Sequence, residues 1–346
     1  MAVTVSIIGA GSMGSSLLKG MLSTDALNAE SVRATTHSRA SADRLTQDLG
    51  IEANATEDSE SSNADAAAGA DFVFLGVKPW AIRETAASFA EALAKEAVIV
   101  SMAAGVSLDT LAEAFPNNPI ARIMPNTPSA IGKGVIAVSP DNTMSQEQTA
   151  ALTRLLSGAG EVFTVPESAI GGMIGISGSG VAYFFLLAEK LIAAGQELGL
   201  DEDTARRMAV ATAEGAGLLL AADPDPAKLR RAVAHPGGTT AAAVDSFEAD
   251  GFEQSVVRAA RAAADKAAAM ERETADWEAA QAHRPVRCRR LQSRLRPPGE
   301  TAQQLDVACD DEHIVFADAR TGFGVGEVAA GRFDAHDRDA VVIADL

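Results

Sequence analysis

Two short runs carry the residue types that binding chemistry needs. Gly9-Ala10-Gly11-Ser12-Met13-Gly14 fits the pattern G-x-G-x-x-G. Here it follows the apolar run at residues 3–8 and opens a helical stretch at residues 12–21, the context a dinucleotide site requires. The first glycine permits a tight turn, the second lets a pyrophosphate approach the backbone, and the third lets helix and strand pack closely. The second run, Pro236-Gly237-Gly238-Thr239-Thr240, lies far along the chain between helical stretches. Two adjacent glycines leave bare backbone, and the two threonines open a helix read over residues 241–247. Unpaired N–H groups and hydroxyls at a helix start hold an anion. Taken alone, the first run also fits a glycine-rich turn without a ligand. The second also fits a helix–helix turn with a threonine cap.

Around the first run, further residues fit a nucleotide. An NAD-type site places an acid at the end of the second strand to bind the ribose hydroxyls. This chain has Thr35-Thr36-His37-Ser38-Arg39 there, with no acid to repel a 2′-phosphate. Ser38 can donate a hydrogen bond and Arg39 can pair with the phosphate. The pattern favours NADPH and leaves NADH possible. A solvated loop is the other reading of Arg39 and the preferred reading of His37. Val77-Lys78-Pro79 and Met102-Ala103-Ala104-Gly105 follow the ends of apolar runs. In open parallel sheets ligands bind there, and small residues leave room for ribose and nicotinamide. Lys78 fits a surface lysine before proline as well as a base.

The elements that must position these runs alternate. Apolar runs at 3–8, 32–36, 71–75, 97–101 and 120–124 are separated by helical stretches, including one at 40–49, and a last helix at 146–157 and a strand at 161–165 close this half. Such alternation indicates βαβ units and a parallel sheet. The fold class expected is α/β, with an N-terminal Rossmann-type parallel-sheet domain over residues 1–165. After Pro166 the pattern becomes helical, at 180–198, 203–220, 227–234 and 252–270, with no strand candidate. Gly199 is placed to cap the first of these, and Asp223-Pro224-Asp225-Pro226 breaks the second. Residues 166–275 therefore read as an all-helical domain, whose many small apolar positions suit packing against another subunit. Residues 276–346 form a third segment. It carries six arginines between 284 and 296, then Pro297-Pro298-Gly299, and has no clear periodicity. A disordered tail, a small appended module and a segment read in a shifted frame all fit it.

At 346 residues the chain is long enough for roughly two domains. Its 47% apolar content is that of a globular protein, and its net charge of -18 argues against binding nucleic acid or an anionic membrane surface. No apolar run reaches the ~18 residues of a membrane span. The first apolar run lacks a basic flank and a cleavage site, so it reads as a strand rather than a signal peptide. The cysteines, Cys288 and Cys309, both come late, which fits a reducing cytoplasm.

Together these pieces resemble the pyrroline-5-carboxylate reductase family. The resemblance is carried by Ile8 to Gly14, Val77-Lys78-Pro79 and Ser101-Met102-Ala103-Ala104-Gly105-Val106. It continues through Arg122-Ile123-Met124-Pro125-Asn126-Thr127-Pro128, Ser177-Gly178-Ser179-Gly180 leading into Ala182-Tyr183, and His235 to Thr240. It spans about residues 1–270, in the family's order and spacing, and the last two motifs are the specific ones. It implies a Rossmann domain followed by a helical dimerisation domain, with active sites built between two subunits of a homodimer or larger homo-oligomer. Asn63 and Asn126 are implied as further cofactor contacts, and Asn63 also reads as a helix N-cap. Ser177, Val233, Gly237, Gly238, Thr239 and Thr240 are implied as substrate contacts. Val181 stands where the family carries proline. Proline favours a helix's first turn, so that turn is expected to be looser.

The implied substrate is 1-pyrroline-5-carboxylate, a cyclic imine bearing a carboxylate, reduced to L-proline in the final step of proline biosynthesis. Backbone N–H groups around Gly238–Thr240 suit the carboxylate, and the Thr240 hydroxyl is the candidate catalytic group, bonding the imine nitrogen. An iminium can bind already protonated, which removes the need for a dedicated general acid. That matters because acid–base candidates are few. His235 reads better as a cap or solvated side chain, Tyr183 as a relay or a core residue, and Ser177 and Ser179 as helix caps lining the site. The acidic residues show no metal-ligand spacing, and Asp311-Glu312-His313 is isolated. Two alternatives stay open. One is a related NADPH-dependent reductase such as a β-hydroxyacid dehydrogenase, which needs a lysine near Lys190. The other is a non-catalytic NADPH-binding or assembly protein.

Overall fold

The computed structural model describes residues 3–282, 306–309 and 314–317. Its first part builds, in chain order, β1 (Val5–Ile8), α1 (Ser12–Met21), β2 (Val32–Thr36), α2 (Arg39–Leu49), β3 (Glu52–Ala55) and α3 (Ser62–Ala67). There follow β4 (Phe72–Leu75), α4 (Ile82–Ala87), β5 (Val98–Ser101), α5 (Leu108–Ala114), β6 (Ile120–Met124), β7 (Gly134–Pro140), α6 (Gln146–Ser157) and β8 (Gly160–Thr164). These strands form one eight-stranded sheet in the order β3-β2-β1-β4-β5-β6-β7-β8.

The strands from β1 to β6 pair in parallel with their neighbours. β1, β4 and β5 are buried throughout, as strands covered on both faces must be. On one face, Leu17 and Leu18 of α1, Leu45 of α2 and Leu152, Leu155 and Leu156 of α6 pack against the sheet. On the other, Ala66 of α3, Ile82 of α4 and Leu111 of α5 do so, with Phe89 and Phe115 in ring contact at 5.6 Å.

The sheet differs from the sequence reading in two strands. β3 was not expected, because Glu-Ala-Asn-Ala lacks the β-branched and aromatic residues of a recognisable strand. β7 was not expected either, and it runs antiparallel to β6. Their connection holds only a 3-10 turn at Thr127–Ile131, too short for a parallel crossover.

The second part is helical: α7 (Ile170–Met173), α8 (Gly180–Glu197), α9 (Glu202–Ala222), α10 (Pro226–Val233), α11 (Thr239–Ala249) and α12 (Phe252–Ala282). A π turn, Ile174–Gly178, joins α7 to α8. The helical run Glu167–Glu197 is therefore unbroken, and by length and composition it is apolar enough to cross a membrane. The sequence reading found no such run because glycines and serines interrupt it. Val181 lies inside this run rather than at a free helix start. Gly199, at φ +93, follows the cap residue Leu198, and Asp225 caps α10 with Pro226 in its first turn. α12 extends well past the expected residue 270.

Arg122 on β6 ties the helical part to the sheet. Its fully buried guanidinium pairs with Glu167 at 2.9 Å and with Glu271 of α12. Glu167 also accepts the Leu108 N–H at 2.8 Å. One buried cation thus ties the start of the helical part and α12 to the sheet.

The chain divides into two compact units, Met1–Asp276 and Trp277–Leu346. In the second, β9 (Asp306–Cys309) pairs antiparallel with β10 (Ile314–Ala317). The arginine-rich stretch, Cys288 and Asp311-Glu312-His313 lie outside the described residues.

Candidate functional site

β1 is followed by Gly9, which takes φ +75. A Cβ there would stand 2.5 Å from Val77 Cγ1, so only glycine fits this turn. The Gly9 N–H donates to Thr35 Oγ1 at 3.1 Å, and the Ala10 N–H donates to the Thr35 carbonyl at 2.7 Å. Thr35 in turn donates to Asn63 Oδ1 at 2.8 Å, and Asn63 Nδ2 donates to Ser88 at 2.9 Å. Asn63 is the second residue of α3, whose N-cap is Ser61, so the N-cap reading of Asn63 is corrected. Instead it braces the glycine turn through Thr35, a buried residue to which the sequence reading gives no role of its own.

Gly11 is the N-cap of α1 and has no side-chain cap. A Cβ built on it would meet nothing within 4 Å, so the backbone is bare where α1 begins, and no side chain caps the first-turn N–H groups. Gly14 instead lies against the sheet, 3.5 Å from Ile7 Cγ2 by the same construction. A pyrophosphate fits this cradle: bare backbone, unpaired donors and a helix dipole converge on one point.

The other residues expected at the nucleotide site lie along the same edge of the sheet, at the carboxyl ends of parallel strands. Ser38 and Arg39 follow β2, and Val77, exposed Lys78 and Pro79 follow β4. Ala103, Ala104 and Gly105 follow β5, where the Ala103 N–H donates to Ser101 at 3.2 Å. Gly105 is covered by Met270 of α12. Asn126 follows β6 and is buried. Its Oδ1 accepts the Val135 N–H at 2.9 Å, and its Nδ2 donates to the Ser177 carbonyl at 3.0 Å. The edge is centred on β1 and β4, where the order of strands reverses, as a doubly wound sheet places its ligands.

The expectation of an acid-free corner after β2 is corrected. The Arg39 N–H donates to Glu57 Oε1 at 2.6 Å, and Arg39 Nε stands 3.0 Å from Asp58. Both acids arrive from the loop after β3, the strand missing from the sequence reading. Ser38 caps α2 by position only and donates to Ser41 at 3.0 Å.

In the helical part, Ser177 sits inside the π turn and donates to the Met173 carbonyl at 2.9 Å, and Ser179 makes no side-chain cap bond. Ser179 is the N-cap of α8 by position only, and Ser177 caps no helix. Tyr183 is half-buried and donates to the Gly175 carbonyl at 3.1 Å, bracing the π turn from within α8. π turns occur often at functional sites.

Val233 ends α10 with its side chain exposed. Gly237 takes φ +76, and the Gly238 N–H donates to the carbonyl of exposed His235 at 2.9 Å. Gly238 is the N-cap of α11 without a side-chain cap, and Thr239 and Thr240 are its first two residues. The loop's hydrogen bonds stay within its own segment among the described residues. No hydrogen bond joins this loop to the Gly9–Gly14 run among the described residues. Lys190 is exposed and paired with Glu189 at 2.8 Å, far from the role a β-hydroxyacid dehydrogenase lysine needs.

Three comparisons bear on this geometry. A family profile described as pyrroline-5-carboxylate reductase dimerisation matches residues 167–270, and one described as NADP oxidoreductase, coenzyme F420-dependent, matches residues 4–105. The pyrroline-5-carboxylate reductase of Corynebacterium melassecola is 38% identical over 268 residues, covering 76% of this chain and 97% of that protein. That of Pseudomonas aeruginosa is 39% identical over 270 residues, covering 77% and 96%. Among solved structures, a pyrroline-5-carboxylate reductase from Coxiella burnetii superposes with a TM-score of 0.71 at 26% identity, covering 78% of this chain and 99% of that one.

Proposed function

The chain belongs to the pyrroline-5-carboxylate reductase family, and from that membership we propose that it reduces 1-pyrroline-5-carboxylate to L-proline with NAD(P)H, the final step of proline biosynthesis. It is an oxidoreductase acting on a C=N bond. The observation that carries this reading is the pairing, in one chain, of the open glycine cradle after β1 with the uncapped helix start at Gly238–Thr240. When bound, NAD(P)H supplies the hydride.

Ser12, Met13 and Gly14 hold the pyrophosphate by first-turn backbone N–H groups, while Gly9 shapes the turn and Gly11 leaves the approach bare. Val77, Lys78, Pro79, Ala103, Ala104 and Gly105 border the ribose and nicotinamide, while Asn63 and Asn126 steady that border. Thr239 and Thr240 offer N–H groups to the substrate carboxylate, Gly237 and Gly238 leave its approach bare, and the Thr240 hydroxyl bonds the imine nitrogen. Ser177 and Val233 flank the ring.

A homodimer through residues 166–275 brings the helix start of one subunit to the cradle of the other. Two facts support it. The helical part carries the dimerisation match. Among its described residues only Ile170, Ala205, Ala209 and Ala267 are buried apolar side chains, while Phe184, Phe185 and Leu218 are all more than half exposed. Monomers rarely leave so large an apolar face open. The unbroken apolar run from Glu167 is then interface rather than membrane span. With no cysteine before 288, we place the enzyme in the cytoplasm, and we leave residues 276–346 outside the catalytic unit.

Mixing the protein with NADPH and 1-pyrroline-5-carboxylate should consume NADPH absorbance and yield proline. Tight NADPH binding without turnover would overturn the reductase reading in favour of a non-catalytic binder.

A further inference from the structure

The corner at the start of α2 is already filled by the chain's own charges. Two donor types there suit an anion: the free N–H groups of a helix start and the guanidinium of Arg39. Both are engaged. The Arg39 N–H donates to Glu57 Oε1 at 2.6 Å, Arg39 Nε stands 3.0 Å from Asp58 Oδ2, and a further guanidinium nitrogen lies 4.0 Å from Asp43 one turn along.

Glu57 and Asp58 are held in register rather than loosely placed. The end of β3 continues its pairing with the end of β2: the Thr56 N–H donates to the Thr36 carbonyl at 2.9 Å, and the Glu57 N–H donates to the His37 carbonyl at 3.2 Å. A dinucleotide lying on the Gly9–Gly14 cradle brings its adenosine ribose to the end of the second strand. A 2′-phosphate would therefore arrive beside these carboxylates, while a free 2′-hydroxyl adds no charge to them.

We propose that Glu57 and Asp58 are the coenzyme-discriminating residues of this enzyme. They stand in for a 2′-phosphate at the start of α2 and weaken NADPH relative to NADH. The inference rests on the nucleotide-site reading given above. The ion pairs are solvent-exposed, with Arg39 57% and Asp58 40% accessible, so each carboxylate shifts the choice by about threefold rather than abolishing NADPH binding.

Adenosine 2′,5′-bisphosphate and AMP differ only in the 2′-phosphate, and calorimetric titration of each into the full chain reads that difference. The Glu57→Gln/Asp58→Asn double variant should bind the bisphosphate about tenfold more tightly than the unaltered chain, with AMP unchanged. Glu57→Ala should match Glu57→Gln, because charge rather than the hydrogen bond carries the effect. The KM for NADPH should fall in both, with that for NADH constant. Equal shifts for both nucleotides, or no shift for either, would overturn the proposal. If the unaltered chain binds neither AMP nor NADH, the nucleotide-site reading itself fails, and the proposal with it.

Discussion

Thr240 stands second in α11, beside N–H groups that no side chain caps. Its hydroxyl touches the reacting imine in the proposed reaction, and a hydrogen bond to a reacting group is worth a factor of ten for each ~1.4 kcal/mol. Thr240→Ala should therefore lower kcat about tenfold or more, with NADPH binding unchanged. Turnover equal to that of the unaltered enzyme would remove Thr240 from the role. At this scale the glycine pattern was legible from sequence, because spacing alone sets the backbone that a pyrophosphate meets. Glu57 and Asp58 were not, since they reach Arg39 through β2–β3 pairing rather than through proximity in the chain. Thr35 was hidden for a similar reason: a buried threonine on a strand looks like sheet filler until Asn63 is seen to grip it.

Asp201 is the N-cap of α9, and its side chain accepts the Thr204 N–H at 3.0 Å. That backbone hydrogen bond, with one from the Thr204 side chain, holds the carboxyl below its ordinary value. A carboxylate favoured by folding stabilises fully above its unfolded-state value, and the stabilisation is lost as pH falls through the lower folded-state value. Asp201→Ala should melt below the unaltered protein at neutral pH, and the gap should close in strong acid. A gap of constant size would show that the charge is not what caps α9. Helices of this kind were legible because Asp, Pro and Gly mark their ends. β3 escaped notice for want of β-forming residues, β7 because a short 3-10 connection set its direction, and the π turn because no sequence period encodes one extra residue per turn.

The whole molecule leaves Phe184, Phe185, Leu186 and Leu218 exposed on helices that match a dimerisation profile. Burying one leucine contributes about 2 kcal/mol, so Leu218→Asp should weaken self-association at least about tenfold. Light scattering would report the change, and turnover should fall with the dimer. An unaltered mass would place the interface elsewhere. The sequence by itself determined the order of domains, the glycine cradle and the helix start at Gly238, because these depend on local backbone freedom and on the period of apolar residues. Only the tertiary structure decided which strands neighbour which, that Arg122 ties the start of the helical part and α12 to the sheet, and that two acids sit at the start of α2. Those relations join residues far apart in sequence, and no local pattern records a contact that forms only when the sheet closes over its core.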